Sequence, residues 1–253
     1  MMKKWFSLSL FFFLSYMVFI IATLPLAFVV NQSELPKNIS IQSVTGTLWQ
    51  GDIAQITLDN YVINEVKTQL SFWSLITLMP TVDMTFGNDV LSGPQGKLSF
   101  AISQSTLQLS NVSVLLGAGS IAKRLQLPLP VSAKGEVELT LSDITIALDT
   151  YQCNEARGKV SWARAGVVAM QKNIKFGKLA ANIGCDEGKL LATVVPKNDL
   201  GLSFNAYLSA NGSKVNVSGD GHLKPGARFP EGLRSALPFI GRPDSQGRYR
   251  LRF

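Results

Sequence analysis

Hydrophobic and polar residues are arranged in two different ways along the chain. From Trp5 to Val30 no residue is charged, and Phe11, Phe12, Phe13, Leu14, Val18, Phe19, Ile20 and Ile21 crowd the run. After about Asn31 the dominant period becomes two. Val131, Ala133, Gly135, Val137, Leu139 and Leu141 alternate with Ser132, Lys134, Glu136, Glu138 and Thr140, which predicts a strand with one face buried and the other wet. The pattern returns at Val215, Val217, Gly219 and Leu223, and again at Tyr249, Leu251 and Phe253, which alternate with Arg248, Arg250 and Arg252. Val62 to Phe72, Leu98 to Ile102, Ile144 to Leu148 and Leu202 to Leu208 read alike. Clean alternation of this kind marks antiparallel sheet, since parallel strands are usually buried on both faces.

Turn residues separate the runs: Gly87-Asn88-Asp89, Ser92-Gly93-Pro94, Pro196 to Asp199, and Asn211-Gly212, the strongest hairpin signal. A Gly-x-(Leu or Val) unit recurs at positions 46, 96, 135, 158, 188 and 221. It is expected at strand starts, where glycine permits a bulge or sharp bend. Gly119 to Leu125 and Pro230 to Ile240 have helical spacing instead, with Pro230 suited to a first helical position. The fold class expected is all-β. A curved, mainly antiparallel sheet over 31–253, shaped as a trough or roll with one or two short helices, follows a helix over 5–30 and a tip at 1–4.

The uncharged run is long enough to cross a bilayer, which takes roughly 20 apolar residues. A cleavable signal peptide has a shorter core of about 7–15 residues ending at small residues, and here the run continues past Ala22 through Ala27 to Val29. Length therefore favours an uncleaved anchor. Lys3 and Lys4 precede it and Glu34 is the first charge beyond it, so the positive-inside rule leaves the N-terminus in the cytoplasm and everything after Asn31 exported. In a double-membrane bacterium this predicts an inner-membrane, single-pass protein with a periplasmic domain.

The chain has only two cysteines, Cys153 and Cys185. An oxidising compartment would let them pair across a loop of 32 residues; two buried free thiols are the alternative. The net charge of +7 is scattered rather than clustered, so solvated faces explain it and nucleic acid is not an expected partner. With one His in 253 residues, zinc sites and Ser-His or Cys-His catalysis lose their central group, and no metal or cofactor is expected. His222 lies on the polar side of its strand. Ser120-Ile121-Ala122-Lys123 has the S-x-x-K spacing of penicillin-interacting serine enzymes, but its companion elements are absent. No nucleotide-binding glycine motif follows a strand, and no carboxylate pair stands out. No enzymatic activity is expected.

At Thr45-Gly46-Thr47-Leu48-Trp49-Gln50-Gly51 the chain resembles the protein N family of the bacterial type II secretion system. The resemblance extends over most of the chain, through Phe72-Trp73-Ser74-Leu75, the pair Cys153 and Cys185, Val160-Ser161-Trp162, Leu200-Gly201-Leu202 and Gly247 to Phe253. It implies an inner-membrane, periplasm-facing accessory subunit that contacts other secretion subunits while folded proteins are exported across the outer membrane. It carries no enzymatic residues. Gly46 and Gly51 are expected to bracket a turn, and Trp49 and Trp162 to serve as core residues rather than ligand platforms. Two alternatives stay open. A bent sheet with one apolar face could handle lipid, as in periplasmic proteins of the AsmA-like class. The closing strand could instead belong to an outer-membrane barrel, although each arginine facing lipid at the midplane would cost about 2–4 kcal/mol.

Overall fold

The computed structural model describes residues 2–33, 39–58, 61–77, 79–89, 93–122, 131–169, 172–211 and 214–253. Two helices lead, α1 (Met2–Thr23) and α2 (Leu26–Gln32). Three strands follow, β1 (Ile39–Gly46), β2 (Gln50–Leu58) and β3 (Tyr61–Leu70), then the short helix α3 (Phe72–Ile76). Next come β4 (Thr81–Phe86), β5 (Gln95–Ile102), β6 (Thr106–Gly117), α4 (Ala118–Ala122), β7 (Val131–Ala147), β8 (Cys153–Ala169) and β9 (Lys172–Asp186). The chain continues through β10 (Lys189–Val194), β11 (Leu202–Asn211), β12 (Lys214–Leu223), α5 (Glu231–Arg234), α6 (Leu237–Ile240) and β13 (Tyr249–Arg252).

All thirteen strands lie in one curved, open sheet in strict sequence order, and every neighbouring pair is antiparallel. At about 4.8 Å per strand this is a ribbon roughly 60 Å across. Among the described residues β1 and β13 do not pair with each other, so the described strands form no closed barrel.

The register shows why alternation was so clear in the sequence. One residue from each strand joins an unbroken polar row: Thr45, Asp52, Lys67, Thr85, Lys97, Ser113, Thr140, Lys159, Asn182, Thr193, Asn205, Asp220 and Arg252. The adjacent row on the opposite face runs Val112, Leu141, Gly158, Ile183, Ala192, Ala206 and Gly219. Because successive side chains point to opposite faces, a one-residue slip would exchange these rows.

Three clusters bury the apolar face. Val112, Leu141, Ile144, Cys153 and Ala156 form the central one. Leu26 of α2 joins Ile53, Val66 and Phe86 at the β1 end. Leu200, Leu223, Phe229 and Leu237 make the third, where the segment around α5 and α6 folds over the β13 end. Leu98 and Val114 pack against both of the first two clusters.

Several expectations change in detail. The leading run is two helices rather than one, because Pro25 leaves the helix to make a bridge with Thr47 and Leu26 then packs into the sheet. Among the described residues no helix is long and apolar enough to cross a membrane; the side chains of α1 are described without interruption only over 8–23. The runs at 131–141 and 144–147 belong to one strand, joined by a register shift between Leu141 and Asp143, and Leu148 lies in the turn beyond it. Of the Gly-x-(Leu or Val) units, only those at Gly96 and Gly188 lie at strand starts; Gly135, Gly158 and Gly221 lie inside strands, and Gly46 closes one. Pro230 precedes α5 as its N-cap. His222 is half-buried between Ser203 and Arg250. Val215 and Val217, expected under cover, are exposed at 62% and 57%. Ser92, Gly212 and 123–125 lie outside the described residues, as does Lys123 of the S-x-x-K spacing.

Leu141 and Thr140 are chain neighbours on opposite faces, one buried and one exposed. Leu141→Ala is expected to destabilise the domain by about 2–4 kcal/mol through lost transfer energy and a residual cavity. Thr140→Ala should cost less than about 1 kcal/mol, and denaturant unfolding of the two variants measures the difference.

Candidate functional site

The residues from Thr45 to Gly51 build a socket that fixes the leading helices to the sheet. β1 ends at Gly46, whose φ of +84° and whose approach to the Gln50 carbonyl, 2.4 Å from where a Cβ would sit, restrict this position to glycine. The chain turns there and returns as β2. Inside the turn, Leu48 donates its N–H to the Leu24 carbonyl at 2.9 Å. Trp49 donates its indole N–H to the Ile21 carbonyl, also at 2.9 Å. Both acceptors lie at the C-terminal end of α1, where helix carbonyls lack partners of their own.

Gly51 completes the socket by its size. A Cβ there would lie 2.1 Å from the Leu26 Cδ2, so the missing side chain is what allows Leu26 to seat. Leu26 is 9% exposed and packs with Ile53, Val66 and Phe86. Burying such a side chain contributes about 1.5–3 kcal/mol, and the two hydrogen bonds add about 0.5–1.5 kcal/mol each. Phe72 of α3 lies against Trp49, ring centroids 5.7 Å apart, and Trp73 lies 6.2 Å from Phe72.

Trp162 repeats the device of Trp49 in the middle of the sheet. Its indole N–H donates to the Lys134 carbonyl at 2.9 Å, and its ring meets Phe176 edge-on at 5.8 Å. Both tryptophans are half-buried and outside the buried clusters. Each pins a main-chain carbonyl 28 positions earlier in the chain. The signal missed in the sequence is the indole N–H, which takes a Trp to wherever an unpaired carbonyl needs a donor.

Cys153 and Cys185 are joined by a disulfide, with Cα atoms 5.7 Å apart. Cys153 opens β8 and Cys185 lies near the end of β9, so the bond ties neighbouring strands at one end of the sheet. Cys153 also belongs to the central cluster, and Cys185 packs against it.

The polar face carries shallow open depressions, one of them holding about 590 Å³. Lys67, Thr85, Lys97, Ser113 and Glu138 line it, and another holds Glu138, Thr140, Lys159, Ser161 and Lys178. Among the described residues no three His, Cys, Asp or Glu side chains converge to hold a metal ion.

Asp244 organises a turn. Its carboxylate accepts the N–H groups of Gln246 and Arg248 and the Nε–H of Arg248. The Arg248 backbone donor, then its side chain, hold the carboxyl below its ordinary value of 3.8. The resulting turn delivers the chain into β13.

An open antiparallel sheet with a leading helix docked against one end and a continuous polar row on one face is the class of fold this chain defines. The family model for type II secretion system protein N matches residues 37–252. The chain belongs to this family, and membership makes it an accessory component of type II secretion. A type II secretion system protein N from Aeromonas hydrophila is 25% identical over 255 residues, covering 100% of this chain and 98% of the relative. One from Vibrio cholerae is 24% identical over 98% of this chain and 97% of its own. One from Pectobacterium carotovorum is 25% identical over 95% and 92%. No solved structure matches the chain.

Reducing the disulfide should lower stability by about 3–4 kcal/mol, the chain-entropy value for such a loop, read as a fall in denaturation midpoint with added reductant. Asp244 gives a pH dependence. A depressed folded-state pKa contributes stability that is present above the ordinary 3.8 and lost as pH falls through the folded value. Pepsin cleavage at Tyr249 and Leu251 should therefore rise through that acid window, and Asp244→Ala should remove the dependence.

Proposed function

We propose that α1 anchors the chain once in the inner membrane, with its N-terminus in the cytoplasm, and holds the sheet domain in the periplasm. There the domain supports export of folded proteins across the outer membrane by binding other type II secretion subunits along a sheet edge. The leading lysines and uncharged run support the anchor. So do the exposures of Phe11, Phe12, Val18 and Phe19, all between 65% and 73%. The pairing of Cys153 with Cys185 suits an oxidising compartment.

The observation that carries the edge reading is the outer side of β12. β13 covers only Asp220 to Leu223, with Phe253 bonded to Gly219 just beyond. From Lys214 to Ser218 the strand pairs with β11 alone among the described residues. Its backbone groups there are open to a further strand, and exposed Val215 and Val217 stand on it beside Leu208, exposed at 41%. Unpaired ladder groups supply affinity, and alternate side chains supply specificity. The lipid-handling alternative has mixed support: lysine, carboxylate and hydroxyl groups line two of the depressions on the sheet, which suits acyl chains poorly, whereas Met84, Leu98, Val112 and Leu141 line another.

A photo-crosslinking residue at position 217 tests this in intact secreting cells. Adducts with other secretion subunits are expected from position 217 and not from position 140 on the polar face. Val215→Pro, which leaves the buried clusters untouched, should reduce both adduct yield and secretion. Equal labelling from the two positions, or unchanged secretion with Val215→Pro, would count against edge pairing.

A further inference from the structure

We infer that α3 is a membrane foot: Phe72, Trp73 and Ile76 lie in the interfacial layer of the bilayer beside the end of α1. This rests on the proposed reading of α1 as the membrane span. From Leu70 to Pro80 the chain has no charged residue. Phe72, Trp73 and Ile76 are 59%, 75% and 65% exposed, and Leu75 is 39% exposed. Contiguous apolar exposure of this kind marks a surface that something covers.

The shape of α3 is fixed from within, so this exposure is built in. Ser74 Oγ donates to the Ser71 carbonyl at 2.6 Å and accepts the Thr81 N–H at 2.9 Å. Ser71 donates its own N–H to the Thr81 carbonyl. These bonds close the loop around its polar atoms and turn the large side chains outward. The Trp73 indole N–H meets no acceptor among the described residues, and an indole with an apolar body and an unmet donor suits the boundary between acyl chains and headgroups.

The socket sets the foot's height. Trp49 ties the last turn of α1 through the Ile21 carbonyl, Phe72 packs on Trp49, and Leu70 donates to the Trp49 carbonyl at 3.2 Å. A helix of 22 residues rises about 33 Å, close to the roughly 30 Å of a hydrocarbon core. If α1 spans, its last turn reaches the periplasmic interface, and the Trp49–Phe72–Trp73 chain of rings lies there with it. A protein partner could cover the same side chains, but the continuity with the exposed surface of α1 selects lipid.

The full chain, reconstituted in vesicles of phosphatidylethanolamine and phosphatidylglycerol with acyl chains brominated near the headgroup end, tests the assignment by tryptophan emission. The difference between wild type and Trp73→Phe isolates Trp73, and the difference between wild type and Trp5→Phe isolates Trp5. Both replaced side chains are exposed, so both variants should fold. Loss of most Trp73 emission in brominated vesicles, with emission retained in unbrominated ones, is the expected result. Intact Trp73 emission with Trp5 quenched would overturn the foot and leave the span standing. Both intact would remove the span, and the foot with it.

Discussion

Backbone donors and acceptors in this molecule are satisfied almost entirely by the next strand along the chain. In a sequential sheet each inner strand has a neighbour on both sides, although a short neighbour leaves part of it uncovered, as β13 does along Lys214 to Ser218 of β12 among the described residues. A single layer has a second constraint, since no other sheet lies over its apolar face. That face is covered piecemeal, by α2 at one end and by the segment around α5 and α6 at the other. The polar face needs no cover, and one hydrophilic residue from every strand keeps it wet.

The socket is where these constraints meet the leading helix. Its polar atoms cap the end of α1, its missing side chain at Gly51 admits Leu26, and its tryptophan bears against α3. The seven-residue segment that first suggested the family therefore has a physical role, which is to hold helix and sheet in a fixed relation. Such a joint holds the leading helices and the sheet in one orientation, which a flexible link would not.

Much of this was legible in the sequence because alternation survives wherever one face is buried. What escaped were places where one residue upsets the count. In β7 the apolar positions run 137, 139 and 141, then 144 and 146, and the reset comes at Ser142, where the register shifts. Read by periodicity alone, that reset ends a strand; in the sheet it is a bulge that bends one. The division of the leading run at Pro25 was hidden for a different reason. Leu26 and Val30 are as apolar as their predecessors, and only the presence of Ile53 and Val66 beneath them marks them as core contacts. Exposure of Val215 and Val217 was likewise invisible, because alternation marks the face of a residue and not whether anything lies above it.

Strict strand order also bears on how the molecule is made. As the chain emerges from synthesis, each new segment meets a template already formed by the strands before it. No strand waits for a partner still to emerge, and the disulfide likewise joins consecutive strands. Most connections between successive strands are short, the run from Leu223 to Tyr249 being the longest exception, and short loop closure favours rapid assembly. The growing rim is the one vulnerable place during that process, and in the finished molecule the last strand seals less than half of it.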